Sequence, residues 1–301
     1  MHGGCRPTLN LAVGIATKGR PAMAQTIVAW LEAQTRVPDA VLIAAPSSAD
    51  ICGISDENVG TGVTWIPSPI GLTKQRNRIL REASGFDIVV FFDDDFLPQP
   101  TYLAEIEQLF LTHPDVVLAT GHVIADGIVG PGLRVDEAQQ YLEADRRTDR
   151  SRRDLLPVYN GYGCNMAVRM SAVRRGGCLF DESLPLYGWL EDVDFSRRLG
   201  ELGRVVLSAA SRGVHLGVKS GRESGVRLGY SQIANPIYLV RKGTFAWLRA
   251  MWQMGRNVAM NLVFSICPEP YVDRGGRLRG NAIAMKDLVS GRLHPERILM
   301  L

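Results

Sequence analysis

The chain has 301 residues, of which 46% are hydrophobic and 22% are charged, and its formal net charge is +3. This composition is typical of a folded globular protein and excludes a disordered or low-complexity chain. The small net charge gives no reason to expect nucleic-acid binding. The N-terminus lacks the apolar segment of a secretory signal, and no run of about 18 uncharged apolar residues predicts a membrane-spanning helix.

The cysteine content indicates a reducing compartment. The number of cysteines is odd and their spacing contains no C-x-x-C pair, so neither a zinc site nor a disulfide framework is expected. We therefore predict reduced cysteines in a cytoplasmic protein. The five cysteines are Cys5, Cys52, Cys164, Cys178 and Cys267.

Short apolar runs alternate with helical patterns along the first part of the chain. Strands are predicted over residues 9–16, 41–45, 63–66 and 87–92, and helices over 22–34, 73–83 and 101–111. This alternation predicts an α/β fold with a mostly parallel central sheet that helices cover on both faces. In such sheets ligands bind at the carboxyl ends of the strands.

Three carboxylates follow the most apolar of these strands, at Asp93, Asp94 and Asp95. Adjacent acids repel one another, and a divalent cation with hard oxygen ligands, Mg²⁺ or Mn²⁺, would offset the repulsion. Because alternate residues of an extended segment point the same way, Asp93 and Asp95 are expected to face one site while Asp94 turns aside. The alternative is an acidic loop that caps the following helix.

A second acidic cluster, at Glu191, Asp192 and Asp194, leads into an amphipathic helix predicted over 195–202. Carboxylates cap helix N-termini, but three exceed what one cap needs, so one of them is a candidate general base. A strand is predicted over 205–207, and His215 follows it. A single histidine is usually structural, but beside an Asp triplet it becomes a candidate metal ligand.

The C-terminal third is basic. Residues 212–301 contain 14 basic and 5 acidic side chains, whereas residues 1–211 contain 20 basic and 26 acidic ones. A helix predicted over 244–260 carries Phe245, Leu248 and Trp252, and Lys242, Arg249 and Arg256 recur every seven residues. This pattern predicts peripheral contact with an anionic membrane or binding of a lipid diphosphate. The alternative is a core-packing helix whose arginines extend to solvent.

These elements together resemble a GT-A glycosyltransferase of family 2, over roughly residues 9–216. The resemblance rests on five motifs in the family's order, followed by His215: an opening strand and loop, a helix start like G-x-x-x-A-R-N, a DXD element, a stretch like G-x-N-M-A-x-R, and an ED pair. In this sequence they occupy residues 13–21, 71–77, 91–95, 160–169 and 188–194.

The resemblance implies a role for each matching residue. Asp93 would contact the nucleotide ribose, and Asp94 belongs with it to the nucleotide-sugar element. Asp95 would hold the divalent metal, Mg²⁺ or Mn²⁺, and His215 would help to hold that metal or the diphosphate. Asp192 would be the catalytic base. Two further residues, Thr17 and Arg76, would line the nucleotide pocket, and two others, Trp189 and Glu191, would shape the acceptor side.

The implied enzyme is a hexosyltransferase-type glycosyltransferase with a Rossmann-like GT-A catalytic domain over residues 1–216. Its nucleotide-sugar half covers about 1–100 and its acceptor half about 101–216, and a basic, mainly helical extension covers 217–301. It would invert the anomeric carbon while moving a sugar from a nucleotide-sugar to a hydroxyl of a glycan or polyprenyl-linked acceptor. We expect it to act in cell-surface polysaccharide synthesis, in the cytoplasm or at the inner face of the cell membrane.

One departure from the family pattern leaves the nucleotide open. Family members often carry an Asp pair after the second strand, but residues 44–48 contain none, and Asp50 is the acidic residue nearby. The donor is therefore expected to be a UDP, GDP or dTDP sugar. Two alternatives to a transferase are a nucleotidyltransferase that makes a nucleotide-sugar and a non-catalytic protein that binds one.

Overall fold

The computed structural model describes residues 8–54, 62–146, 154–219, 224–267 and 269–301. These residues form a nine-stranded sheet surrounded by helices. The strands are β1 (Leu11–Ala16), β2 (Ala40–Ala45), β3 (Val63–Pro67), β4 (Ile88–Asp93), β5 (Phe96–Pro98), β6 (Val116–Asp126), β7 (Leu155–Pro157), β8 (Asn165–Arg169) and β9 (Arg204–His215). The helices are α1 (Pro21–Glu32), α2 (Leu72–Glu82), α3 (Tyr102–Thr112), α4 (Val135–Arg146), α5 (Met170–Gly176), α6 (Glu191–Leu199), α7 (Gly225–Lys242), α8 (Trp247–Ile266) and α9 (Arg274–Val289).

The sheet has the strand order β3-β2-β1-β4-β8-β6-β9-β5, and β7 pairs with β9. Strands β1, β2, β3 and β4 are parallel to one another, and β6 is parallel to β9. Strand β8 runs antiparallel to both β4 and β6, and β5 and β7 run antiparallel to β9. Six of the nine described strands therefore run in one direction, which confirms the predicted mostly parallel α/β sheet.

Side chains alternate between two cores along the central strands. In β4, Val90 and Phe92 join α1 and α3 in one hydrophobic cluster, whereas Val89 and Phe91 join α2, α5 and α6 in another. Period-two alternation of a strand explains this division, because successive side chains point to opposite faces. Both faces are covered, so the carboxyl end of β4 is where its polar residues meet solvent.

The three C-terminal helices form a further core against one another, around Tyr230, Ile233 and Ala284. Helix α7 also attaches to the sheet region through the end of the helix and the turn that follows it. The Lys242 ammonium lies 2.9 Å from the fully buried carboxylate of Asp194, and the Thr244 hydroxyl donates to the same carboxylate at 2.8 Å. A buried charge needs such partners, so these contacts fix α7 to α6.

The predicted helix over 244–260 differs from the observed one. Lys242 ends α7, the chain turns at Gly243 with φ of 85°, and α8 starts at Trp247. Phe245 is consequently buried in the turn, where it packs with α6. The predicted seven-residue basic stripe is therefore wrong for Lys242, whereas Arg249 and Arg256 do lie on α8. The division of the chain at residues 216 and 217 stays a prediction.

Among the described helices, we find none whose length and hydropathy together would suit a bilayer crossing.

Candidate active site

The Asp triplet lies where β4 ends, and its members point in two directions. Ligand atoms of Asp93, Asp95 and His215 all lie within 4.8 Å of one another. Asp94 points the other way, into the interior, and its side chain is fully buried. The expected alternation of the three carboxylates is therefore present, and it brings His215 of β9 to the same place as the end of β4.

His215 is held between two carboxylates. Its Nε2 lies 3.4 Å from Asp95, and its Nδ1 lies 2.8 Å from Asp126 at the end of β6. The Tyr162 hydroxyl donates to Asp126 at 2.9 Å. Burial alone would lower the pKa of His215, but the hydrogen bonds to Asp126 and Asp95 outweigh it and raise the pKa to about 10. Asp126 therefore fixes the ring so that Nε2 faces Asp93 and Asp95.

Asp94 organises the loop after β1. It accepts a hydrogen bond from the Thr17 hydroxyl at 2.6 Å and pairs with the Arg20 guanidinium at 2.7 Å. Burial raises the pKa of Asp94 to about 7, although the Arg20 charge lowers it. The structure thus gives both Thr17 and Asp94 interior partners, and their predicted contact with the nucleotide stays a prediction.

Arg76 connects the two acidic clusters. The side chain is 2% exposed and donates to Glu191 at 2.5 Å, to Asp93 at 2.9 Å and to the Gly163 carbonyl at 2.7 Å. Burial disfavours its charge, but the carboxylates of Glu191 and Asp93 outweigh this and raise the pKa of Arg76. In the structure it links Asp93 to α6, and its predicted place in the nucleotide pocket stays a prediction.

Glu191 occupies the buried end of this link. One of its oxygens accepts from Arg76, and the other has no hydrogen-bond partner among the described residues. Burial raises the pKa of Glu191 to about 8, against the lowering effect of Arg76 and with the help of the neighbouring Asp192. Glu191 is buried in the structure, and its predicted role in shaping the acceptor side stays a prediction.

Asp192 lies on the open side of the same helix turn. Its carboxylate accepts from the Gly163 amide at 3.1 Å and from the Val193 amide at 2.8 Å. Burial raises its pKa above the ordinary 3.8. Gly163 bonds Asp192 through its amide and Arg76 through its carbonyl, and Arg76 also bonds Asp93, so Gly163 and Arg76 link the two carboxylates. A partly exposed carboxylate with a raised pKa is suited to accept a proton.

Asp192 lines an open groove of about 350 Å³ between α6 and α8. Its walls also include the segment before β8 and the turn before α8. The residues that line it are Tyr159, Asn160, Leu190, Asp192, Val193, Phe245, Arg249, Trp252, Gln253 and Arg256. The groove thus connects the candidate base with the C-terminal region.

The backbone before α6 is strained. Leu186 and Leu190 have φ of 59° and 70°, which are costly for residues with a Cβ, and Gly188 between them has φ of 63°. Trp189 is half-buried in this loop, and its carbonyl accepts from the Asn235 amide of α7 at 2.7 Å. Helix α7 therefore helps to hold the conformation of this loop. The loop leads into the first turn of α6, where Glu191 and Asp192 lie.

Both carboxylate oxygens of Asp50 accept hydrogen bonds from other parts of the protein. One of its oxygens accepts from the Gly19 amide at 2.5 Å, and the other accepts from the amide and hydroxyl of Ser47. These bonds tie the loop after β2 to the loop after β1. The structure gives Asp50 a positioning role for these loops.

The donor set at Asp93, Asp95 and His215 suits a divalent cation. It offers carboxylate oxygens and one imidazole nitrogen, and Asp93 is partly open to solvent, with 30% of its side chain exposed. Asp126 occupies the other ring nitrogen of His215, as in carboxylate–histidine–metal arrangements. The residues present therefore fit a metal of the Mn²⁺ or Mg²⁺ class.

Sequence reasoning missed three residues that shape this site. Asp126 and Tyr162 support His215, and Arg20 neutralises Asp94. The register places Asp126 opposite His215 in the parallel pair of β6 and β9. An acidic residue at the carboxyl end of a long apolar strand was the available signal for Asp126.

A family comparison supports the resemblance indicated by the motifs. Residues 60–177 match the family described as Glycosyl transferase family 2. The matched segment contains the Asp triplet and the stretch before β8. A search of curated proteins found no match.

Solved structures share the fold of this chain at low sequence identity. S. aureus TarS aligns at 15% identity with a TM-score of 0.51, covering 75% of this chain and 40% of TarS, and a TarS 1–349 structure contains UDP-GlcNAc. GalNAc-T7 with UDP, GalNAc and Mn²⁺ aligns at 13% identity with a TM-score of 0.55, covering 95% of this chain and 59% of GalNAc-T7. The chain thus spans less than two thirds of either protein.

The mannosyltransferase PcManGT from Pyrobaculum calidifontis, solved with GDP-Man and Mn²⁺, aligns at 15% identity with a TM-score of 0.52. That alignment covers 98% of this chain and 86% of PcManGT. These likenesses establish the fold, and together with the family match they confirm the predicted resemblance to GT-A glycosyltransferases of family 2.

Proposed function

We propose that this chain, whose fold is that of GT-A glycosyltransferases, is a metal-dependent, inverting glycosyltransferase. It moves a sugar of the hexose type from a nucleotide-sugar to a hydroxyl of a glycan or lipid-linked acceptor. The observation that carries the proposal is the link between two acidic groups, which we propose are two parts of one cleft. Asp93, Asp95 and His215 form a ligand set for a cation, and Asp192 lies across Gly163 from them.

The first part of the cleft holds the donor. Asp93, Asp95 and His215 would bind Mg²⁺ or Mn²⁺, which when bound stabilises the charge of the diphosphate leaving group. Asp126 keeps Nε2 of His215 directed at the site, and Arg76 keeps Asp93 in place. Loop residues after β1 and β2 lie at the same sheet edge, where nucleotides bind in parallel sheets.

The second part of the cleft activates the acceptor. The pKa of a sugar hydroxyl lies far above 7, so a base must accept its proton as the oxygen attacks the anomeric carbon. Asp192 is suited to this step, because it faces the groove and burial raises its pKa. The neighbouring carboxylate, Glu191, is engaged by Arg76 and faces inward. One available base supports a single displacement with inversion rather than a two-carboxylate retaining mechanism.

The proposed donor and acceptor classes also suggest where in the cell the enzyme acts. UDP, GDP and dTDP sugars all remain candidate donors, because both oxygens of Asp50 are used within the protein. Solved GT-A structures with UDP-GlcNAc and with GDP-Man illustrate two of these. We place the enzyme in the cytoplasm, peripheral to the inner face of the cell membrane, in the synthesis of cell-surface polysaccharide.

The test is a thermal-shift panel of nucleotide-sugars with Mn²⁺ or Mg²⁺. A ligand that binds only the folded state raises the free energy of unfolding, by about 2.7 kcal/mol at a ligand concentration of 100 times Kd. The melting temperature rises accordingly. We expect one donor to raise it in the presence of metal only, and Asp95→Ala to abolish the shift. Arg78→Gln, on the exposed side of α2, is the matched control.

The products distinguish this function from its two alternatives. Release of nucleoside diphosphate from the stabilising donor supports transfer, whereas release of pyrophosphate from a nucleoside triphosphate and a sugar phosphate would indicate a nucleotidyltransferase. Binding without turnover in the presence of glycan acceptors would indicate a non-catalytic binding protein. A panel with no metal-dependent shift for any nucleotide-sugar would refute the proposal itself.

A further inference from the structure

Helix α8 exposes an apolar face along its whole length. Leu248, Trp252 and Ile266 are 81%, 73% and 80% exposed. At a rise of about 1.5 Å per residue, a helix of 20 residues presents such a face over about 30 Å. Its other side packs inward through Ala250, Met254 and Asn261. The exposed apolar side chains of α8 are Trp247, Leu248, Met251, Trp252, Met260, Leu262, Val263 and Ile266.

This apolar face carries positive charge and no negative charge. The sequence of α8 contains Arg249 and Arg256 and no acidic residue. Large exposed apolar patches mark interaction sites, and helices with tryptophan, leucine and arginine lie in the boundary layer of anionic membranes. The composition of α8 therefore favours a bilayer surface over an aqueous environment.

The two arginines of α8 also reach the groove beside Asp192. Both Arg249 and Arg256 line it, together with Trp252. The guanidinium of Arg249 lies 4.3 Å from the centre of the Tyr159 ring. Within the described parts of the chain, no carboxylate forms an ion pair with Arg249 or Arg256. Two cations without an acidic partner at one groove are suited to hold a phosphate group.

We propose that the groove between α6 and α8 binds the phosphate of a membrane lipid that carries the acceptor sugar. Arg249 and Arg256 contact the phosphate, and the apolar face of α8 lies in the membrane boundary. The sugar attached to that phosphate then reaches Asp192 in the same groove. This inference rests on the proposed function, because it names the acceptor class for the same base.

The geometry favours a lipid over a free phosphate compound as the partner. A free phosphate would need Arg249 and Arg256 alone and would leave the apolar face of α8 in water. Because Trp252 belongs both to the groove and to the exposed face, the two surfaces are continuous. A molecule with a phosphate between a sugar and an apolar chain uses both of them at once.

The test measures binding of the full chain to phosphatidylcholine vesicles that contain phosphatidic acid, by co-sedimentation. The paired variant Arg249→Gln/Arg256→Gln should bind about 25-fold more weakly, since each cation at an anionic surface contributes about a 5-fold effect. The variant Leu248→Gln/Val263→Gln/Ile266→Gln changes residues outside the groove. Its affinity for the vesicles should fall at least about tenfold, because it inserts less apolar surface into the membrane. Vesicles of phosphatidylcholine alone should bind weakly to all forms.

The matched control is Arg78→Gln/Arg279→Gln, which removes the same charge from exposed positions of α2 and α9. It should bind phosphatidic acid vesicles like the unmodified protein. Equal losses in this control and in the α8 arginine variant would overturn the inference in favour of non-specific charge attraction. Unchanged binding of the α8 variants, or equal binding of inorganic phosphate in solution and of the vesicles, would also overturn it.

Donor binding separates a failure of this inference from a failure of the proposed function. Thermal shifts with nucleotide-sugar and Mn²⁺ should be equal in the unmodified protein and in the Leu248/Val263/Ile266 variant. If donor binding is intact and the vesicles show no dependence on α8, the acceptor class is wrong and the transferase proposal stands. If the vesicles bind through α8 and no donor turns over, the phosphate site stands and the transferase proposal fails.

Discussion

Replacing Arg76 with methionine tests the link between the two acidic clusters. The guanidinium is fully enclosed and bonds Glu191, Asp93 and the Gly163 carbonyl. It also lies 5.6 Å and 5.5 Å from the ring centres of Phe91 and Phe180, so a methionine side chain fits the same apolar surroundings. The substitution removes the charge and its donors without leaving a large cavity.

The expected loss of folding stability depends on the carboxylates that remain after Arg76 is removed. Removing one partner of a buried ion pair costs about 3–5 kcal/mol. Burial raises the pKa of Glu191 and the Arg76 charge lowers it, so loss of the guanidinium raises that pKa further and favours a neutral carboxyl. Neutralisation removes part of the penalty, and we expect the lower limit, about 3 kcal/mol. At about 2 °C per kcal/mol for a large domain, the melting temperature falls by about 6 °C.

Thermal unfolding followed by circular dichroism measures this change. The control is Arg78→Met, two residues along α2 and exposed, which should stay within about 0.5 kcal/mol of the unmodified protein. The double variant Arg76→Met/Glu191→Met should melt above the single variant, because it removes both buried partners. An Arg76→Met protein that melts with the unmodified protein would show that the buried link contributes nothing.

Four further outcomes concern the cleft itself. Asp192→Asn should reduce transfer about 10²- to 10⁴-fold while calorimetry finds donor affinity unchanged, and normal turnover would exclude this base. Because burial raises the pKa of Asp192 above 3.8, transfer should rise with pH through that higher pKa, and a pH–rate profile without this acidic limb would contradict the assignment. Asp126→Ala should weaken Mn²⁺ binding about 10- to 100-fold by calorimetry, since His215 loses its orienting partner; equal affinity would remove Asp126 from the site. Mn²⁺ should restore chelator-treated enzyme at lower concentration than Mg²⁺, which prefers all-oxygen ligands, and the reverse order measured by nucleoside diphosphate release would exclude His215 as a ligand.

Local patterns predicted the elements of the sheet region well. The apolar run before Asp93 predicts β4 to within one residue, and alternation correctly separates Asp94 from its two neighbours. These successes share a cause, since side-chain direction in a strand depends only on the neighbouring residues. The carboxyl-end rule for parallel sheets then directed attention to the right edge.

The same local patterns do not predict contacts between residues that are distant in the sequence. Asp126 meets His215 across 89 positions of sequence, through a parallel pairing that periodicity does not reveal. The resemblance implies a place for Arg76 in the nucleotide pocket, but no local pattern predicts its acidic partners, which come from β4 and α6. The helix boundary near residue 244 was missed because Gly243, in a left-handed conformation, ends α7 and reverses the chain.

The attachment of Lys242 and Thr244 to Asp194 decides how this protein should be shortened or fused. Asp194 is fully buried and lies two residues after the candidate base. Among the residues that the structure describes, a fragment that stops before residue 242 would leave Arg198 as the remaining ion-pair partner of Asp194. Inactivity of such a fragment would report damage to the first turns of α6, so point substitutions on the outer side of α8 are the sounder tool.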